Sequence, residues 1–195
     1  NAGKNYLVLG ADLPSVGSTI SLSASHYSFT GEAANDQASH VLRSAGDVDG
    51  DGLDDLLFAA YGNDDAGTNA GKAYLVFGST VISTGTMGLA EADRSFVGAG
   101  ANQFTGYSVA PAGDVDGDGY DDILVGAYGN DEWGEDAGKA YLLFGWNLTT
   151  GGTTYSFAER QYDYAFVGRL AGDEAGASLV GPGDLDGDGY DDLVI

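Results

Sequence analysis

Three short stretches crowd carboxylates to a degree that is unfavourable unless something positive sits among them. They are Asp47-Val48-Asp49-Gly50-Asp51-Gly52-Leu53-Asp54-Asp55, Asp114-Val115-Asp116-Gly117-Asp118-Gly119-Tyr120-Asp121-Asp122 and Asp184-Leu185-Asp186-Gly187-Asp188-Gly189-Tyr190-Asp191-Asp192, each with five aspartates in nine residues. Asp at positions 1, 3 and 5 of a tight loop aims three carboxylates at one point. Gly at position 6 permits the sharp turn that brings the position-7 carbonyl inward. Hard oxygen ligands so arranged suit Ca2+ better than Mg2+, which prefers an octahedron with several retained waters.

Plain Asp-Gly turn chemistry accounts for one such stretch, but not for three with all four carboxylate positions filled. An EF-hand or dockerin loop needs Glu at position 12 and flanking helices. Position 12 of the second copy is Val125, inside an apolar run. Tandem nonapeptide calcium repeats fail on repeat length.

The net charge is −23, with only seven Lys and Arg. That argues against nucleic acid, which needs a basic face, and against docking on anionic membranes. It is no sign of disorder: 43% hydrophobic residues, with twelve Tyr and eight Phe, can build a core. Three Ca2+ would bring the charge to about −17 by simple addition. With no cysteine there is no disulfide and no Cys-based zinc or redox chemistry. No signal peptide and no apolar run of membrane-spanning length is present.

The acidic stretches recur at steps of 67 residues (Asp47 to Asp114) and 70 residues (Asp114 to Asp184). Other marks keep the same register. Phe29-Thr30-Gly31, Phe96-Val97-Gly98 and Phe166-Val167-Gly168 precede an acidic stretch. Ala70-Gly71-Lys72-Ala73-Tyr74 and Ala137-Gly138-Lys139-Ala140-Tyr141 follow one, and Ala2–Gly10 repeats that element. Each unit reads as β-structure. A small-residue strand (Ser108–Gly113) enters the loop and an apolar strand (Ile123–Val125, matched by Leu56–Phe58 and Leu193–Ile195) leaves it. A polar turn then leads into Lys139–Phe144, and a variable strand around Thr153–Phe157 is expected to close the unit. Helical periodicity is absent apart from a possible turn near Leu89–Asp93.

Four short strands cannot bury both faces alone, so the expectation is all-β: a β-propeller segment with blades of about four antiparallel strands. The division is 1–25 (closing strands of a preceding blade), 26–92 and 93–162 (blades), and 163–195 (opening strands of a further blade). Ile195 aligns with Val125, and Asn1 with Asp136, so both ends fall inside a blade. Two arrangements stay open: further blades in a longer chain, or head-to-tail association of copies.

These residues resemble the FG-GAP repeats of the integrin α-chain N-terminal β-propeller. The Phe-x-Gly marks resemble the "FG" element. Gly126-Ala127 is similar to "GAP", with Tyr128 where the family often has Pro and a weaker Ala59-Ala60-Tyr61 upstream. All three acidic stretches fit D-x-D-x-D-G-x-x-D. The resemblance implies three Ca2+ sites. The first uses the carboxylates of Asp47, Asp49, Asp51 and Asp55 with the Leu53 carbonyl. The second uses Asp114, Asp116, Asp118 and Asp122 with the Tyr120 carbonyl, and the third Asp184, Asp186, Asp188 and Asp192 with the Tyr190 carbonyl. Asp54, Asp121 and Asp191 are expected to point away and brace the loop.

The functional expectation is an extracellular or cell-surface binding module (periplasmic also possible) for adhesion or protein–protein recognition, with structural Ca2+. Its partner would be an unidentified protein or matrix ligand. The alternatives are the propeller of a secreted enzyme and an architectural spacer. No nucleophile–base constellation is visible, so no catalytic residue is assigned. Asn63-Asp64-Asp65 and Asn130-Asp131-Glu132 with Glu135-Asp136 read as solvated turns, with a second metal or ligand site as the alternative, and His26 and His40 read as packing positions. Trp133 and Trp146 read as ordinary packing or ligand-facing aromatics. Asn147-Leu148-Thr149 is a glycosylation sequon that matters only in a eukaryotic secretory setting.

Overall fold

In the computed structural model, which describes residues 2–25, 27–38 and 40–195, the apolar runs beside each acidic loop become paired strands. His26 lies outside the described residues. In chain order the strands are β1 (Lys4–Leu7), β2 (Tyr27–Thr30), β3 (Val41–Gly46), β4 (Asp55–Ala60), β5 (Lys72–Val76), β6 (Thr86–Gly88), β7 (Arg94–Val97), β8 (Val109–Gly113), β9 (Asp122–Ala127), β10 (Lys139–Leu143), β11 (Thr154–Ser156), β12 (Tyr164–Val167), β13 (Val180–Gly183) and β14 (Asp192–Val194). Two short helices, α1 (Gly78–Thr84) and α2 (Gly145–Thr150), follow β5 and β10. The architecture is all-β, in propeller-type blades: β3-β4-β5-β7 and β8-β9-β10-β12 are antiparallel four-stranded sheets, flanked by the pairs β1-β2 and β13-β14.

The sheets stack face to face because their middle strands are apolar on both sides. Along β4 and β5, Leu57, Ala59, Ala73 and Leu75 join one core cluster, and their neighbours Phe58, Ala60, Tyr74 and Val76 join another. On β9 and β10, Ile123, Val125, Tyr141 and Leu143 face back into the first cluster, while Leu124 and Leu142 face on toward Leu193. Period-2 side chains with both faces buried produce the unbroken apolar runs seen in the sequence. The strands that enter the loops, β3, β8 and β13, lie side by side, with β3 and β8 each at one edge of its sheet.

The strand expected to close the unit at 153–157 does something else. β11 pairs in parallel with β7 of the preceding sheet (Tyr155 opposite Phe96), and β6 pairs likewise with β2 (Met87 opposite Phe29). The fourth strand of each sheet comes later: β7 beside β5, and β12 beside β10. Antiparallel hydrogen bonding therefore groups 41–97 and 109–167, and the divisions at 92/93 and 162/163 fall just ahead of β7 and β12. The chain between strands three and four crosses to the neighbouring sheet and back, tying adjacent sheets together. The turn near Leu89–Asp93 is a 3-10 helix at Leu89–Glu91.

Candidate metal centre

Each acidic loop joins two paired residues: Gly46 opposite Asp55, Gly113 opposite Asp122, and Gly183 opposite Asp192. The register shifts just before each of these pairs, a bulge that twists the strand end into the loop. Within the loop the aspartates cap their own backbone. Asp114 accepts from Gly117, Asp118 and Gly119 N–H at 2.7–3.0 Å, Asp116 from Asp118 N–H, and Asp118 from Tyr120 N–H. Asp184, Asp186 and Asp188 repeat this pattern. Loop one keeps the bonds from Gly52 to Asp47, Asp51 to Asp49 and Leu53 to Asp51. These are Asx turns, which fix where the remaining carboxylate lone pairs point.

Three carboxylates converge in each loop, with one oxygen apiece all within 4.8 Å of one another: Asp47, Asp49 and Asp51; Asp114, Asp116 and Asp122; Asp184, Asp186 and Asp192. The fourth expected carboxylate of each loop (Asp55, Asp118, Asp188) stands outside its group. Asp55 and Asp122 are fully buried. Asp55 accepts from Val48 and Gly78 N–H at 2.9 and 2.8 Å, and Asp122 from Val115 and Gly145 N–H, both at 2.9 Å. Asp47 Oδ1 is buried with no hydrogen-bond partner among the described residues. An orphan acceptor among converging carboxylates is the environment a hard divalent cation relieves, and an all-oxygen donor set fits Ca2+.

Burial pushes the Asp55 and Asp122 carboxyls up to about 7, more than the backbone donors to each pull them down. Burial also raises Asp49, and it raises Asp116 with help from the Asp118 charge. Exposed Asp184 is held low by its backbone donors, Gly189 first. The sign for stability follows from proton counts. A carboxyl with a raised folded pKa binds more protons folded than unfolded, so its contribution is present below the unfolded value and is lost as pH climbs toward 7. In chelator the melting temperature is expected to fall between about pH 4 and pH 7. A bound divalent cation reverses this by holding the carboxylates ionised, and binding near pH 6 is expected to release protons, read as calorimetric heats that vary with buffer ionisation. Heats independent of the buffer would contradict it.

Two of the three penultimate aspartates brace, but across loops: Asp121 reaches the loop before it and Asp191 does the same one repeat on, whereas exposed Asp54 makes no such bond among the described residues. The turns at 63–65 and 130–132 are not simply solvated. Asn63 and Asn130 are buried, and Asp65 and Glu132 pair with the buried Lys72 and Lys139, with Glu32 a second partner of Lys72. Trp146 lies on α2 with its ring 5.4 Å from that of Tyr120, half exposed, and Trp133 is more exposed still. Asn147 donates its amide to Asp163 at 2.6 Å. The sequence did not reveal an aromatic cluster at the opposite strand ends, where exposed His40 meets Tyr61 and Tyr107 while Phe104 and Tyr107 meet Tyr128 at centroid distances of 4.4–5.8 Å. Its members come from separate repeats, so no local pattern marks them.

An FG-GAP repeat profile matches residues 44–76 and 105–143, which include the first two acidic loops. Among curated proteins, the chain is 33% identical to integrin alpha-V of Gallus gallus over 178 residues, 88% of this chain and 16% of that protein. It is 30% identical to integrin alpha-5 of Xenopus laevis over 182 residues (87% and 15%) and 31% identical to integrin alpha-4 of Xenopus laevis over 153 residues (77% and 13%). The chain thus spans 16% or less of the length of the curated relatives it matches.

Proposed function

Since the chain belongs to the FG-GAP repeat family and has integrin α chains as relatives, we propose that residues 1–195 are one propeller segment acting as a calcium-stabilised binding module, and not as an enzyme. The observation that carries this reading is the threefold recurrence of converging carboxylates on one loop geometry. The ligands we assign are Asp47, Asp49, Asp51 and Asp55 with the Leu53 carbonyl; Asp114, Asp116, Asp118 and Asp122 with the Tyr120 carbonyl; and Asp184, Asp186, Asp188 and Asp192 with the Tyr190 carbonyl. Bound Ca2+ would supply the positive charge that each loop lacks. The residues do the rest: the Asx turns hold positions 1, 3 and 5 in place, and position 9 fastens the loop to the strand beside it and, in the first two loops, to the start of a helix.

Extracellular calcium modules work at roughly 10⁻⁴–10⁻³ M, so the setting proposed is outside the cell or on its surface. Among the described residues no helix is long and apolar enough to cross a membrane. Recognition of a protein or matrix partner is assigned to the strand ends opposite the loops, where the half-exposed aromatic cluster supplies contact area of the kind enriched at interfaces. A calorimetric titration tests the metal reading. About three Ca2+ should bind per chain, and Mg2+ at equal concentration should compete poorly. No heat and no change in melting temperature with Ca2+ would sink it.

A further inference from the structure

We propose that Asp121 and Asp191 couple neighbouring acidic loops, so that a cation in one loop raises the affinity of the loop beside it; this rests on the calcium reading above. Position 8 of the second and third loops reaches the position-1 residue of the preceding loop. Asp121 Oδ2 accepts from Asp47 N–H at 2.8 Å, and Asp121 N–H donates to the Asp47 carbonyl at 3.2 Å. One repeat on, Asp191 makes the same two bonds to Asp114 at 3.0 and 3.1 Å. The approach is so close that a Cβ on Gly46 would stand 2.0 Å from Asp121 Oδ2, and one on Gly113 would stand 1.9 Å from Asp191 Oδ2. The rings of Tyr120 and Tyr190 lie against Gly50 and Gly117, where a Cβ would meet them at 2.6 and 2.7 Å.

Asp121 therefore sits in the chain between Tyr120 and Asp122, two residues assigned to the second cation, while it holds both backbone groups of Asp47, the first ligand of the first cation. Whatever fixes residues 120–122 also removes freedom from Asp47, so the neighbouring loop meets a smaller ordering cost when it binds. By linkage the effect is reciprocal. Asp54, the same position in the first loop, is exposed and makes no such cross-loop backbone bond among the described residues.

The test uses the full chain with Trp133→Phe, which leaves Trp146, packed on Tyr120, as the only tryptophan and a fluorescence reporter of the second loop. Calcium is titrated with the first loop intact and with it disabled by Asp49→Asn and Asp51→Asn. Disabling it should weaken the second loop about fivefold or more. Asp121→Ala should remove that dependence, Asp121→Asn should retain it because the amide oxygen still accepts from Asp47 N–H, and Asp54→Ala should leave it unchanged. Equal second-loop affinity with the first loop intact or disabled, while calcium still binds, overturns the coupling and leaves the calcium reading standing. Dependence that survives Asp121→Ala overturns Asp121 as its carrier. Absence of calcium binding in every loop overturns both readings. If Asp121→Ala does not fold, the comparison of intact and disabled first loops still decides the coupling.

Discussion

Chelation is expected to lower the melting temperature of this chain by about 15–30 °C relative to saturating calcium. A ligand that binds only the folded state at one hundred times its Kd adds about 2.7 kcal/mol. Three loops, each counted separately at that occupancy, then contribute about 8 kcal/mol, comparable with the whole stability of a typical domain, about 5–15 kcal/mol. For a chain of this length each kcal/mol moves the midpoint by about 2–4 °C. The repulsion relieved is local: five aspartates share nine residues, and Asp47 Oδ1 has no hydrogen-bond partner among the described residues. Differential scanning calorimetry with EGTA and with millimolar calcium measures the shift. A difference below about 3 °C, less than a single site should give, would show that calcium does not hold the scaffold.

The loops were legible because their geometry is local. Asp at alternate positions with Gly at position 6 encodes the turn, which all three loops form; the alternate carboxylates converge in the first loop, whereas in the second and third the position-9 aspartate takes the place of position 5. The middle strands were legible for the same reason, since β4, β5, β9 and β10 are apolar on both faces. What escaped depends on partners in another repeat. β6 and β11 are three residues long, too short to show a period, and each pairs with the outer strand of the preceding sheet. α1 and α2 span seven and six residues, too few for an amphipathic stripe. The role of Lys72 and Lys139 was half visible: the repeated Gly-Lys-Ala-Tyr element marks them, and an acid seven residues upstream (Asp65, Glu132) is the spacing that names their partner. The bracing by Asp121 and Asp191 had a signal too. A glycine precedes each loop at Gly46, Gly113 and Gly183, and at the first two a side chain would collide with the brace.

Asp122 carries the largest expected effect of any single residue, and two substitutions separate its two roles. The carboxylate is fully buried, and each oxygen takes a backbone N–H, from Val115 within the loop and from Gly145 at the start of α2. Asp122→Ala strands both donors. Leaving a buried donor unsatisfied costs about 1–3 kcal/mol, so the loss in chelator should be about 3 kcal/mol, or about 6–12 °C in melting temperature. The cost of burying the carboxyl, which raises its pKa to about 7, offsets part of the two lost bonds and keeps the sum near the lower end. Asp122→Asn keeps one acceptor but turns its NH2 toward the other donor, a cost of about 1–3 kcal/mol that removal of the buried charge partly offsets, so in chelator it should lie about 1 kcal/mol below the natural chain. In saturating calcium the two chains should separate further, because a neutral amide is a weaker ligand for a hard cation, and the gap should approach the contribution of one site, about 2.7 kcal/mol. If the gap between Asp122→Asn and the natural chain is no larger in calcium than in chelator, Asp122 is a strut and not a ligand, and the second centre reduces to the remaining aspartates of its loop. Asp55 offers an independent repetition of the same experiment, since it is equally buried and bonded in the same way to Val48 and Gly78.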